Sequence, residues 1–267
     1  MTKKTIIALI WLATSVAGLA YVAPNGNTVN PTPYREQIAS GTIEPLTPGA
    51  IEQKNRRAIV YIEEPAKDKP GLEYTGTGFF ICDHVIVTNY HMVRYAKAFR
   101  FTRYDGTVIN GGRVIIANAQ CDVACIEVAP HSSDAWVYLS PDTQYETVGE
   151  RVTIIGYPQD HYTVSNGTIE KFYGDNTMTM VVAIQTTAWG DHGQSGSPIF
   201  NAYGAVIGIV RGGDDKVHHA FGLSTDVMWE ALQLTSGDHP NGFTTGITNG
   251  VDVRGDDEKQ YDSTHSL

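Results

Sequence analysis

From Ala58 onward the chain reads as short apolar runs broken by turn residues. The runs are AIVYI (58–62), TGFFIC (77–82), VIVT (85–88), RVIIA (113–117), DVACIEV (122–128), RVTIIGY (151–157), MTMVVAIQT (178–186) and AVIGIV (205–210). They are rich in β-branched residues, and Gly, Asn and Asp separate them with no helical period between. The pattern predicts an all-β barrel or sandwich. One helix is expected late, capped at Ser224, Thr225 or Asp226, with Val227, Met228, Ala231 and Leu232 on one face. Residues 24–50 hold five Pro and three Gly without an apolar period and read as an extended linker. After Leu234 the chain turns polar and Gly-rich, which predicts disorder to the end. The expected organisation is an N-terminal segment over 1–23, a linker over 24–50, a β body over 51–235 and an acidic tail over 236–267.

Composition narrows the class of molecule. The chain has 267 residues, of which 42% are apolar and 18% charged, an ordinary globular balance with room for a real core. Nineteen basic residues against 29 acidic ones give a net charge of −10. No stripe of Lys and Arg is present, so a phosphate backbone finds nothing to attract it and nucleic acid is set aside as a partner.

The N-terminus bears on the compartment. A basic head, Met1-Thr2-Lys3-Lys4, precedes an uncharged run from Thr5 to Ala23. That is the layout of a secretory signal peptide, with small-x-small sites at Ser15-Val16-Ala17 and Gly18-Leu19-Ala20. The rival reading is a retained membrane anchor, which Thr14, Ser15 and Gly18 weaken. Either reading places the body outside the cytoplasm, periplasmic or secreted. A membrane contact is expected only if residues 5–23 stay uncleaved.

Three cysteines cannot all pair. Cys121 and Cys125, read as lying on one strand, would stand roughly 13 Å apart, too far to bridge. Any disulfide would therefore join Cys82 to one of them. Neither this spacing nor that of the nine histidines suggests a zinc motif, so no metal is expected.

Candidate chemistry sits in three stretches: Thr88-Asn89-Tyr90-His91, Asp122-Val123-Ala124, and Gly193-Gln194-Ser195-Gly196-Ser197-Pro198. A serine hydroxyl is a weak nucleophile and needs a base within hydrogen-bond reach. Histidine suits that task when a carboxylate fixes its tautomer. Gly193 would let its own N–H and that of Ser195 turn toward one point, as an oxyanion requires. Each stretch alone has a bland reading as a structural His, a solvated Asp or a common turn. Their joint occurrence on an all-β chain is what carries weight.

With those residues in view, the chain resembles the chymotrypsin-fold, trypsin-like serine endopeptidases, nearest the bacterial HtrA/Deg and glutamyl-endopeptidase branch. The similarity runs from about Arg57 to Leu234 through GTGFFI, TNYH, DVACIEV, VGERVTIIGYP, a VSNGTIE turn, IQTTAWGDHGQSGSPIFN and GAVIGIVRGG. It implies two packed six-stranded antiparallel β-barrels and peptide-bond hydrolysis in the cleft between them. By the same resemblance His91 is the general base, Asp122 its orienter and Ser195 the nucleophile, with Gly193 and Ser195 N–H as oxyanion hole. It implies no cofactor, and protein or peptide substrates.

Departures from the family pattern matter. No PDZ-like segment is expected after the barrel. Ser197 replaces a Gly usual in the trypsin and HtrA groups, and Val210 stands where glutamyl endopeptidases place a His. Gln194 stands where trypsin-like zymogens place an Asp that pairs with a new N-terminus, so the barrel is expected to be competent without cleavage. Arg56-Arg57-Ala58-Ile59-Val60 then reads as a strand start. The substrate pocket would be lined near Ala188-Trp189 and Val210-Arg211-Gly212-Gly213. There Arg211 would attract an acidic side chain, while Asp214 and Asp215 would favour a basic one. Primary specificity and oligomeric state stay open. The rivals to a secreted protease are a catalytically weak binding module on the same fold and a membrane-anchored quality-control protease.

Overall fold

Thr47 marks where the main body begins, and it does so by capping a helix. The computed structural model describes residues 34–65, 73–96, 98–140, 143, 146–174, 181–213, 218–228 and 231, with two short strands at 21–22 and 28–29. These fall into two units, Met1–Pro45 and Leu46–Leu267. In the first, β1 (Tyr21–Val22) pairs antiparallel with β2 (Thr28–Val29), and α1 (Tyr34–Ala39) follows. In the second, Thr47 Oγ1 accepts the Ala50 N–H at 3.2 Å and Pro48 opens α2 (Pro48–Asn55), a position that needs no amide hydrogen. Ile51 on α2 is fully buried and Leu46 N–H donates to Ala202 O at 2.8 Å.

The span 24–50 therefore differs from an extended linker: it holds β2, α1 and the start of α2, and its last residues already belong to the main body. Residues 1–20 and the acidic tail over 236–267 lie outside the described residues. Among the described residues no helix is long and apolar enough to cross a membrane.

The body is built from two antiparallel sheets. The first comprises β3 (Ile59–Pro65), β4 (Glu73–Phe80), β5 (Val85–Thr88), β6 (Arg100–Arg103), β7 (Val108–Asn110), β8 (Arg113–Asn118) and β9 (Val123–Glu127), in the order β7-β6-β3-β4-β5-β9-β8. The second comprises β10 (Tyr138–Leu139), β11 (Arg151–Gly156), β12 (Thr163–Gly174), β13 (Val181–Trp189), β14 (Pro198–Phe200), β15 (Ala205–Gly213) and β16 (His219–Ser224). Pairing of β15 with β16 closes β11–β16 into a six-stranded barrel, and β10 adds to β15 in parallel. Val152, Ile154, Ile169, Ile184, Ile199 and Ile207 fill that barrel. A second core cluster gathers Ile62, Phe79, Ile86, Phe101 and Ile126 of the first sheet and extends to Ile155, Phe200 and Val206 of the second. This matches the all-β, two-barrel fold expected above, with one difference: among the described residues the first sheet has seven strands and no pairing between β7 and β8, so it is a half-barrel where a closed six-stranded barrel was expected.

Differences are local. VSNGTIE is not a turn but the first part of the twelve-residue β12. Cys121 lies in the turn before β9, its N–H donating to Asn118 Oδ1 at 2.9 Å, while Cys125 lies within β9. No disulfide joins Cys82, Cys121 or Cys125 among the described residues. Residues 225–228 are helical, and Ser224 is the cap, its Oγ accepting the Val227 N–H at 3.4 Å. Asp226 instead accepts the Thr143 N–H at 2.7 Å. Val227, Met228 and Ala231 are buried, as a shared face requires, and Leu232 lies outside the described residues. Arg56–Ala58 form one 3-10 turn leading into β3, where Ile59 and Val60 are fully buried.

Glu64 on β3 is an acid in the wrong solvent. Only 2% of it is exposed and its Oε2 has no partner among the described residues. Burial pushes its carboxyl up to about 8, partly offset by the Arg94 charge. The folded chain thus keeps a proton that the unfolded chain loses near the ordinary carboxylate value. Stability is favoured below that value and falls as pH rises through about 8. Thermal unfolding followed between about pH 5 and pH 9 is expected to show this decline, on the order of a few kcal/mol, with Glu64→Gln flattening it. An unchanged slope in the variant would remove Glu64 as its cause.

Candidate active site

Beyond β5 the chain makes a single 3-10 turn, Tyr90–Met92, which carries His91. Asp122 faces it from the turn between β8 and β9, at φ +48°, a left-handed conformation that costs a non-glycine residue energy. Asn89 holds that turn by donating its Nδ2 hydrogen to Asp122 O at 3.1 Å. The Asp122 carboxylate, 3% exposed, accepts the His91 backbone N–H at 2.9 Å and faces His91 Nδ1 at 2.9 Å. A carboxylate in that place requires the proton on Nδ1 and leaves Nε2 as the free base. The imidazole side chain is 24% exposed, enough to meet a ligand from solvent.

Ser195 lies in the tight turn between β13 and β14. Gln194 N–H donates to Asp191 O at 3.1 Å and Ser197 N–H to Gln194 O at 2.9 Å. Gln194 is fully buried, and its Oε1 accepts the Asp191 N–H at 3.3 Å. Gly193 and Gly196 both take positive φ, +89° and +87°. A Cβ at Gly196 would stand 1.9 Å from Thr77 O, and one at Gly193 would stand 2.6 Å from Tyr157 O. No side chain fits at either position. Among the described residues no acceptor is bonded to the Gly193 or Ser195 N–H.

Arg211 joins the two halves. Its Nε lies 3.2 Å from Asp122 Oδ2, while its carbonyl accepts the Ser195 Oγ hydrogen at 3.4 Å. Ser195 Oγ is thus bonded to Arg211 O and not to His91. The structure brings His91 and Asp122 into direct contact and links Ser195 to them through one arginine. Sequence reasoning placed Arg211 in the pocket wall and missed its hold on Asp122, because the pairing spans β15 and the turn before β9.

The neighbouring wall follows the expected stretches. Ala188 and Val210 are buried, Trp189 is 39% exposed, and Gly212 and Gly213 are exposed at the end of β15. Trp189 pairs with His219 across β13 and β16, its ring 6.5 Å from that of His218. Asp214 and Asp215 lie outside the described residues.

Thr77 on β4 is the second residue that sequence reasoning left out. Its Oγ1 donates to Gly193 O at 3.0 Å and accepts the Tyr157 N–H at 3.0 Å. Its backbone N–H donates to Ser195 O at 2.8 Å, and its carbonyl accepts the Thr88 Oγ1 hydrogen at 2.8 Å. One buried threonine therefore fixes the turn carrying Ser195 against the strand that leads to His91. Its only signal in the sequence is a polar residue inside an otherwise apolar GTGFFI run.

Comparison with known proteins gives the family and the fold. The family model described as a trypsin-like peptidase domain matches residues 76–209. A protein of Brucella suis described as a probable periplasmic serine endoprotease, DegP-like, is 30% identical across 60% of this chain and 31% of its own length. The chain spans roughly a third or less of the length of other curated relatives it matches. Among solved structures, a serine endoprotease from Yersinia pestis superposes with a TM-score of 0.61 at 18% identity, covering 72% of this chain and 67% of that one. An HtrA-type protease solved with a tripeptide gives a TM-score of 0.61 at 19% identity, over 70% and 63% of the two chains. At these identities the structural likeness speaks for the fold.

Thr77→Val keeps the shape of the side chain but strands the Tyr157 N–H and the Gly193 carbonyl. Denaturant unfolding is expected to show a loss of about 2–4 kcal/mol, with Thr77→Ser recovering most of it. Equal losses in the two variants would assign the effect to packing instead.

Proposed function

We propose that this chain, which belongs to the trypsin-like peptidase family, is an exported serine endopeptidase that hydrolyses peptide bonds through an acyl-enzyme on Ser195. The observation that carries the reading is the buried Asp122 carboxylate on His91 Nδ1, which leaves Nε2 basic on the side open to solvent.

In the proposed mechanism the Ser195 hydroxyl leaves the Arg211 carbonyl and gives its proton to His91 Nε2 as Oγ attacks the substrate carbonyl. The carbonyl oxygen becomes an oxyanion held by the Gly193 and Ser195 N–H groups. His91 then passes the proton to the departing amine, and the acyl group stays on Ser195 Oγ. Water, deprotonated by His91, attacks the ester and releases the acid, restoring the serine. Asp122 keeps its charge throughout and stabilises the imidazolium. The step needs no cofactor.

Gln194 supports competence without N-terminal cleavage, since an uncharged amide, its Oε1 held by the Asp191 N–H of its own turn, stands where a charge would be needed to pair with a new N-terminus. Export is supported by the basic head and uncharged run of residues 1–23 and by the periplasmic description of the Brucella relative. Peptide substrates are supported by the HtrA-type structure solved with a tripeptide. A second reading, a binding module on the same fold, is favoured by one observation: Ser195 Oγ bonds Arg211 O rather than His91.

Fluorophosphonate labelling of the full chain, uncut before Ala58, separates the two. One adduct by intact mass is expected, absent in Ser195→Ala and formed about 100-fold or more slowly in His91→Ala. A folded chain that gives no adduct would leave the binding module standing.

Arg211 bears on specificity. With its guanidinium on Asp122 it is not the charge that selects an acidic side chain in the pocket. Arg211→Ala is expected to lower kcat/KM about tenfold, evenly across a peptide library. A loss confined to cleavage after Asp and Glu would return Arg211 to the pocket.

A further inference from the structure

The turn between β4 and β5 gathers metal-binding chemistry away from the Ser195 cleft. Cys82, Asp83 and His84 place a thiol sulfur, a carboxylate oxygen and an imidazole nitrogen within 4.8 Å of one another. Cys82 Sγ lies 3.6 Å from His84 Nδ1, and His84 Nδ1 contacts Asp83 Oδ1 directly. A further imidazole stands beside this group on the segment after β9, where His131 Nδ1 lies 3.0 Å from Asp83 Oδ2 and the side chain, 90% exposed, has room to turn. His131 is 47 positions beyond His84, which is why no sequence spacing announced the set.

The Cys82–His84 separation is that of two ligands around one tetrahedral ion, and the Asp83 oxygens, now in hydrogen-bond contact with the two imidazoles, would draw apart from them to take the ion between. With Zn–S near 2.3 Å and Zn–N near 2.0–2.1 Å, the sulfur–nitrogen edge of the tetrahedron is about 3.6 Å and the oxygen–nitrogen edge about 3.3 Å. The donor set selects as well. Calcium and magnesium take oxygen ligands, whereas one thiolate, one carboxylate and two imidazoles suit a borderline-soft ion. We propose that Cys82, Asp83 and His84 hold a zinc ion, with the exposed His131 side chain turning in as the fourth ligand. Binding deprotonates the Cys82 thiol and releases that proton to solvent.

The backbone already holds the two segments together. Val128 N–H donates to His84 O at 2.9 Å and Ser133 N–H to Asp83 O at 3.0 Å. His131 adopts φ +61°, a left-handed conformation that a non-glycine residue takes at a cost. The ion would tie the β4–β5 turn to the chain leaving the first sheet for β10. The site lies at the opposite end of β5 from His91, so it stands independently of the cleft chemistry.

The test uses the full chain, reduced, freed of metal by a chelator, and titrated with cobalt(II) and then zinc(II). One equivalent of cobalt is expected to give a thiolate-to-cobalt charge-transfer band and the intense d–d bands of tetrahedral coordination, both displaced by one equivalent of zinc. Cys82→Ser is expected to lose the charge-transfer band. His131→Ala changes a side chain that is 90% exposed, so the fold is kept, and zinc is expected to bind about 10–100-fold more weakly. The proposal is overturned by absence of the cobalt bands, by weak octahedral-type bands, by a charge-transfer band surviving Cys82→Ser, or by unchanged zinc affinity in His131→Ala.

Discussion

The hydroxyl and backbone of Thr77 join the first sheet to the turn that carries Ser195, and the site depends on that join. Four hydrogen bonds meet at this residue, reaching Gly193, Tyr157, Ser195 and Thr88. All lie out of water, where an unmade bond costs more than a made one contributes. The approach is so close that Gly196 must lack a side chain, because Thr77 O occupies the space a Cβ would take. Placement of the serine relative to the histidine is thereby a property of the contact between the sheets, not of either sheet alone.

Asp122 imposes the second constraint. Its carboxylate is nearly excluded from solvent and carries three donors, His91 N–H, His91 Nδ1 and Arg211 Nε. A buried carboxylate requires such partners, and each partner is thereby fixed in orientation. The arginine makes this site unlike a bare triad. One of its ends neutralises the carboxylate while its carbonyl holds the serine hydroxyl. The same residue that completes the charge balance around Asp122 also sets the resting position of Ser195 Oγ.

Much of this was legible in the chain. Strands such as VIVT and RVTIIGY show because a strand buried on one or both faces must be apolar at successive or alternate positions. His91, Asp122 and Ser195 show because each stands beside residues with a backbone reason to be there: a strand end, a strand start, a glycine turn. RFTR over 100–103 did not show, since two arginines break its pattern although Phe101 is fully buried. Nor did the helix capped by Thr47, because one buried isoleucine leaves no period to detect.

What the sequence determined by itself is local and repetitive: the β class, the apolar strand segments along the chain, the late helix and the short stretches in which His91, Asp122 and Ser195 stand. These follow from side-chain period and turn chemistry, which act over a few residues. What only the tertiary structure decided are pairings between distant parts of the chain. Thr77 meets Gly193, Asp122 meets Arg211, and Asp83 meets His131. Each depends on polar groups from segments far apart in sequence satisfying one another once the sheets have packed. No period or spacing records that, because the partner is chosen by the packing of the sheets.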